Sequence, residues 1–359
     1  MKKFALIIAS LLLFLASCER RPLVEDSKEV SISVEVNIEA VANVTMGVYN
    51  EHIPVPDLNT DMVRVMVYDP KTKNLITQAF LSNKDTGENG EQILSGDITI
   101  TPGTYDFVCY NFDTATTQVR NENNENEIEA YTPGISDALK TRYTSRNKTK
   151  TDENTKADPF EGQINYEPDH LVVAREHSYT IAPDARRVVI NTEASTVVDT
   201  YYIQIHVKGL EFAANASAIL SGMSPSNKFG LNERIKDPSA SLYFDLVKST
   251  DDHYATKGSE NDVLCAVFNT FGKIEDISSN LDITFNVIDT GGNLQEKTIN
   301  MDQIFNSQLA KEKHWLLIDE VWEIQDPGNG GGNGGQQTTG GGFNPQVEDW
   351  NEENSDIML

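Results

Sequence analysis

Val30-Ser31-Ile32-Ser33-Val34-Glu35-Val36-Asn37-Ile38 alternates apolar and polar residues without a break. A period of two places Val30, Ile32, Val34, Val36 and Ile38 on one face of an extended chain and the Ser, Glu and Asn side chains on the other. A helix would scatter the same five residues around its circumference. The stretch therefore reads as a strand with one buried face. Further strands are expected downstream at Met62–Tyr68, Leu75–Leu81, Gln92–Ile100 and Tyr105–Phe112. Asp69-Pro70, Asn89-Gly90 and Pro102-Gly103 supply the turn chemistry between them. Strands at this spacing, with no helical periodicity among them, indicate a β-sandwich.

The pattern breaks after Phe112. Asn121-Glu122-Asn123-Asn124-Glu125-Asn126-Glu127 is polar throughout, and Thr141 to Asp158 carries almost no apolar side chains. Such a segment does not offset its ordering entropy by burial, so 113–170 reads as a long exposed loop with a short helical turn at Ile135–Leu139. The sandwich resumes at Leu171–Ala174 and closes near Tyr179-Thr180-Ile181. Pro183 marks the expected boundary, after which Val188-Val189-Ile190 opens a second sandwich. Its further strands are Tyr201–Val207, Ser241–Val247, Val263–Phe271, Leu281–Ile288 and Trp315–Ile324. Two tandem sandwiches, 30–182 and 183–326, suit a length beyond what one core organises. From Gly328 to Gly342 the chain is Gly, Asn, Gln and Thr, which is flexible-linker composition. The final stretch, 327–359, thus joins a linker to an acidic tail holding Phe343, Val347 and Trp350.

The N-terminus carries its own message. Met1-Lys2-Lys3 is a positive start, and Phe4 to Leu15 is apolar except for Ser10. A spanning helix needs about 20 apolar residues, so this run fits a cleavable export signal, 1–17. Leu15-Ala16-Ser17-Cys18 resembles the lipobox of bacterial lipoproteins. The resemblance implies acylation of Cys18 and a lipidated tether over 18–29. Several acyl chains anchor stably where one gives only marginal binding, because each buried methylene contributes about 0.8 kcal/mol.

The formal charge is −26, and losing Lys2 and Lys3 with the signal takes it to −28. Binding to nucleic acid or to anionic lipid requires basic patches, so both are excluded as partners. Six histidines, at 52, 170, 177, 206, 253 and 314, form no helical metal pair and flank no nucleophile motif. The Gly-rich run precedes no helix and is no phosphate loop. No catalytic residue, cofactor or metal ligand is assigned. Cys109 and Cys265 each lie in an apolar strand-like run, consistent with buried free thiols.

Together these features resemble the fimbrillin-like lipoproteins of Bacteroidales, the FimA- and Mfa-type fimbrial subunits and their anchor-like relatives. Three places carry the resemblance: the lipobox with Cys18-Glu19-Arg20-Arg21-Pro22-Leu23, the alternating strand Val30–Ile38, and the ending. The ending runs His314-Trp315-Leu316-Leu317-Ile318-Asp319-Glu320-Val321-Trp322-Glu323-Ile324, then the Gly-rich spacer, then Gly342 to Trp350. The resemblance implies two transthyretin-like β-sandwiches and a structural role at the cell surface, with the outer membrane reached through the lipid. It also implies assembly with other fimbrial subunits by β-augmentation, in which a donated strand fills a groove left by a removed one. Val30–Ile38 is then the strand exchanged, and Phe343, Val347 and Trp350 mark the candidate donor.

One departure matters. Stalk subunits of this kind carry an Arg cleavage site between tether and body, but here no Arg lies between Arg21 and Arg64. That favours an anchor or accessory subunit that keeps its lipid. The rival reading is a surface glycan-binding lipoprotein of a polysaccharide-uptake system, which needs exposed aromatic platforms. Trp315 and Trp322 fall in an apolar strand, where core packing is expected instead.

Overall fold

The computed structural model describes residues 29–37, 52–54, 60–86, 92–111, 114–144, 163–185, 187–190, 195–249, 262–274 and 281–328. Within them the chain is all-β, with twenty-two strands numbered in chain order and short helices at Asp137–Thr144, Asp302–Phe305 and Gln308–Lys313. Sheet I runs β11 (Arg187–Ile190), β1 (Val30–Asn37), β5 (Gln92–Ile100), β4 (Asn83–Thr86). Sheet II runs β12 (Ser195–Thr196), β10 (Val172–Ile181), β6 (Gly103–Asn111), β2 (Val63–Tyr68), β3 (Leu75–Leu81). These two pack face to face. Ile32, Val34, Leu94, Ile98 and Ile100 from sheet I meet Val65, Val67, Phe107, Cys109 and Ala174 from sheet II in one apolar core.

The second sandwich repeats the plan. Sheet III runs β18 (Val247–Ser249), β19 (Asp262–Thr270), β13 (Asp199–Lys208), β22 (Trp315–Glu323). Sheet IV runs β21 (Leu294–Asn300), β20 (Asp282–Asp289), β14 (Ala213–Met223), β17 (Ala240–Asp245), β9 (Gln163–Tyr166). The order β22-β13-β19-β18 matches β11-β1-β5-β4, and β21-β20-β14-β17 matches β10-β6-β2-β3. Pairing senses match as well: β1 lies parallel to β11 and antiparallel to β5, as β13 does to β22 and β19. In both sandwiches one strand changes sheets across a single residue, Ser82 between β3 and β4 and Leu246 between β17 and β18. The molecule is one topology used twice.

A fifth sheet joins the copies. It runs β16 (Glu233–Arg234), β15 (Ser226–Lys228), β8 (Glu129–Tyr131), β7 (Gln118–Arg120), so two strands come from each half of the chain. It explains why β2 and β6, in the middle of sheet II, are apolar on both faces. Val65 and Val67 face the first core, while Met66, Tyr68, Val108 and Tyr110 face a second cluster shared with Ile128, Ala130, Phe229 and Phe271. Strands buried on both sides read as apolar runs instead of alternating ones.

Two expectations are corrected here. Val188-Val189-Ile190 does not open the second sandwich; it lies in β11, parallel to β1, with Val34 opposite Val188 and Val36 opposite Ile190. A parallel partner is recruited from far along the chain and leaves no local turn signal. The segment 113–170 is not simply an exposed loop, because its described residues include β7, β8, β9 and the helix Asp137–Thr144. Several of its described apolar residues are buried. Ile128 and Ala130 are 0% exposed, and Ile135 and Ile164 pack on Ile219 at the outer face of sheet IV.

Candidate functional site

β1 occupies a slot between two strands. Its register on β5 sets Val30 against Ile100, Ile32 against Ile98, Val34 against Gly96 and Val36 against Leu94. Ile32 and Val34 are 0% exposed, Ser31 is exposed, and Ser33 is half-buried, as the alternation requires. Val30 and Val36 take the expected backbone register, and Ile38 lies outside the described residues. Gly96 lets the neighbouring corner close over the slot: a Cβ there would meet Leu81 Cδ2 and Phe80 O at 2.9 Å. Burying Ile32 and Val34 contributes roughly 1.5–3 kcal/mol each. Without β1, β5 and β11 would face each other across an apolar trench with unpaired backbone on both walls.

The chain from β1 to β2, residues 38–62, reaches the other sandwich. Ile53 is 0% exposed and packs with Tyr202, Cys265 and Trp315 on the outer face of sheet III. His52 stacks on Tyr202 at 4.6 Å and meets Trp315 edge-on at 5.2 Å. Trp315 and Trp322 are 5% and 8% exposed, so neither offers a glycan platform. His206 is half-buried.

The described chain leaves the second sandwich beside the Asp289–Asn293 turn. Gln325 is held there by Gln295, whose amide donates to Gln325 O at 2.9 Å and accepts from Gln325 N at 2.8 Å. Cys18, Phe343, Val347 and Trp350 lie outside the described residues. Cys109 and Cys265 are free and buried in different sandwiches, and burial raises both thiols.

The junction between sandwiches holds the charged groups that sequence reasoning missed. Arg120 grips Glu129 with two bonds of 2.8 Å, and Ser226 from the second half donates to the same carboxylate. Burial alone would raise Glu129, but Arg120 and Ser226 outweigh it and hold the carboxyl below its ordinary range. Arg175 Nε donates to Phe229 O at 2.6 Å, and Phe229 meets Tyr110 edge-on at 5.2 Å. Gly230 sits so close that a Cβ would lie 1.8 Å from Glu125 O. Tyr68 and Tyr110 both donate to Glu122, which also pairs with Arg64. Burial, reinforced by the Glu122 carboxylate, raises both phenols. Asp106 was the one visible signal, an acid set inside the apolar run of β6.

The tandem pair of sandwiches is a fold shared with a solved structure. A "putative adhesin" from Bacteroides ovatus matches with a TM-score of 0.51 at 19% identity, over 86% of this chain and 94% of that one. The fimbrial anchor protein Mfa2 of Porphyromonas gingivalis matches more distantly, with a TM-score of 0.41 at 13% identity, over 80% of this chain and 88% of that one. The chain belongs to the family described as a domain of unknown function, DUF5119, whose model matches residues 17–245. It is also similar to the "Putative fimbrium anchoring subunit Fim4B" of Bacteroides ovatus, 23% identical over 243 residues. That stretch is 68% of this chain, and the chain spans 60% of that relative's length.

Proposed function

We propose that this chain is an anchor or accessory subunit of a cell-surface fimbria, tethered to the outer membrane through acylated Cys18 and joined to other subunits by exchange of β-strands. The observation that carries the reading is the setting of β1, which is paired on both sides and fills a core. Only residues 38–62 join it to the rest of its sandwich. A strand so placed leaves a preformed receptor when it departs, with backbone groups for affinity and alternate pockets for register. The similarity to a fimbrium anchoring subunit supports the fimbrial setting. The lipobox supports the anchor, and the lack of Arg between Arg21 and Arg64 supports a subunit that retains it. Phe343, Val347 and Trp350 are the proposed donor residues, given reach by the Gly-rich linker. The partners are other fimbrial subunits, identical or paralogous.

The test is extraction of native protein in mild detergent, followed by denaturing gels run with and without boiling. Strand-exchanged assemblies give a high-molecular-weight ladder that collapses on boiling. Deleting 327–359 is expected to abolish the ladder while leaving a folded, lipidated monomer, and Cys18→Ala to release the protein from the membrane fraction. A monomer in both lanes that also fails to co-purify with any fimbrial subunit would sink the reading.

A further inference from the structure

Four side chains from separate segments meet where β6, β10 and the 121–128 turn adjoin. Asp106 and Glu125 are buried, at 1% and 2% side-chain exposure. Lys73 Nζ takes one oxygen of each, at 2.6 Å from Asp106 Oδ2 and 2.9 Å from Glu125 Oε2. The other oxygens turn to His177, whose Nδ1 lies 3.3 Å from Glu125 Oε1 and 3.8 Å from Asp106 Oδ1. One ligand atom from each of Asp106, Glu125 and His177 lies within 4.8 Å of the other two. Three ligands held roughly 2.0–2.2 Å from one tetrahedral ion stand about 3.3–3.6 Å apart, close to the two separations His177 Nδ1 makes, 3.3 and 3.8 Å.

We propose that Asp106, Glu125 and His177 bind a divalent transition metal of the Zn²⁺ class. The surroundings are those of a supported site. Lys73 holds the other oxygen of each carboxylate, and Ser178 N donates to Asp106 Oδ1 at 2.7 Å, so both carboxylates are oriented by the protein. His177 lies in a bulge of β10, between Glu176 and Tyr179, and bulges re-aim side chains. At 55% exposure it gives an ion an entry path and room for a water ligand. Arg175, the other cation near Glu125, is committed to Phe229 O. Two carboxylate oxygens and an imidazole nitrogen suit Zn²⁺ better than Ca²⁺ or Mg²⁺, which favour all-oxygen shells. An ion here would tie β6 and β10 to the turn on which Gly230 of the second half rests. This inference is independent of the fimbrial reading.

The experiment is calorimetric titration and thermal melting of the tag-free, EDTA-treated full chain with Zn²⁺, Mn²⁺, Ca²⁺ and Mg²⁺. Zn²⁺ is expected to bind one to one and raise Tm by roughly 5 °C at a hundredfold excess over Kd, with Ca²⁺ and Mg²⁺ inactive. His177→Ala is expected to weaken Zn²⁺ at least tenfold while leaving the metal-free Tm unchanged, since the ring is half-exposed. Lys73→Met leaves the carboxylates without their ammonium, so its Tm falls in EDTA and Zn²⁺ restores it. Absence of a Zn²⁺ response in the wild type overturns the proposal. So does a response that survives His177→Ala, or one that Ca²⁺ matches.

Discussion

β1 and β13 hold the same place in two copies of one topology, yet they are held in different ways. β13 pairs with β22 over seven residues and with β19 over nine; β1 pairs with β11 over only four and with β5 over eight. β13 is buried on both faces, with Ile203, Ile205 and Val207 inward and Tyr202 and Gln204 outward. β1 buries Ile32 and Val34 and presents Ser31 to solvent. The link from β13 to β14 is residues 209–212, whereas the link from β1 to β2 is residues 38–62. Lengthening a link adds little entropic cost, so the long one does not weaken the first sandwich much while β1 is seated. Under the proposed exchange, that length is what lets β1 leave, where a four-residue link would not. On the proposed strand exchange, the second sandwich is the fixed platform and the first is the one built around a removable strand.

The comparison breaks if the two strands respond alike to the same injury. Ile205→Asp and Ile32→Asp each bury a carboxylate in an apolar core, a penalty of several kcal/mol. In β13 the strand has nowhere to go, so Ile205→Asp is expected to yield insoluble protein with no cooperative melt. In β1 the strand can vacate its slot. Ile32→Asp is expected to give soluble protein whose second sandwich still melts cooperatively and whose residues 29–37 are cut readily in limited proteolysis. A peptide of sequence Val30–Asn37 should bind that variant and suppress cleavage at the exposed trench. Equal insolubility of both variants would remove the distinction.

The second test asks how far the copies are separate at all. The shared fifth sheet and Phe229 make the junction part of the first sandwich's packing. Gly230→Ala places a methyl 1.8 Å from Glu125 O, where the obstacle is backbone and does not rotate away. Backing the Phe229–Gly230 hairpin out of its seat is expected to cost about 3–5 kcal/mol, the range for emptying an aromatic site in a core. Calorimetry should show one transition in the wild type and two in Gly230→Ala, the earlier from the first sandwich. A single transition at unchanged temperature would mean the sandwiches are coupled elsewhere.

What the sequence reveals divides along the same line. β2, β3, β5, β6, β13, β19, β20 and β22 are legible because alternation or apolar runs are local properties. β14 is not, although it is the centre of sheet IV. Ala213-Ala214-Asn215-Ala216-Ser217-Ala218 carries little hydrophobic contrast, and its burial depends on neighbours it does not specify. β21, Leu294-Gln295-Glu296-Lys297-Thr298-Ile299-Asn300, is a polar edge strand. The slot itself is half legible: β1 announces its buried face, but its parallel partner lies about 150 residues away. The junction is the hardest case. Glu129 and Ser226 stand 97 positions apart, and Lys73, Asp106, Glu125 and His177 come from four segments with no motif spacing among them.

The smallest expected effect sharpens the junction's chemistry. Glu129 has a 6% exposed side chain, and its folded carboxyl is held below the ordinary range by Arg120 and Ser226 against the opposing pull of burial. A lowered carboxyl binds fewer protons folded than unfolded just below the ordinary glutamate range. Its contribution is therefore full above that range and lost as pH falls through the lower folded value. Glu129→Gln keeps the shape, deletes the charge and leaves Arg120, which is half-exposed, to water. The expected loss at neutral pH is about 1 kcal/mol, at the upper end for an ion pair open to solvent on one side. Denaturant melts at neutral pH and near pH 3 should show the gap between wild type and Glu129→Gln narrowing towards acid. A gap that widens instead would mean the carboxyl is protonated in the folded protein, and that the fifth sheet joins the two sandwiches by a neutral hydrogen bond, not by charge.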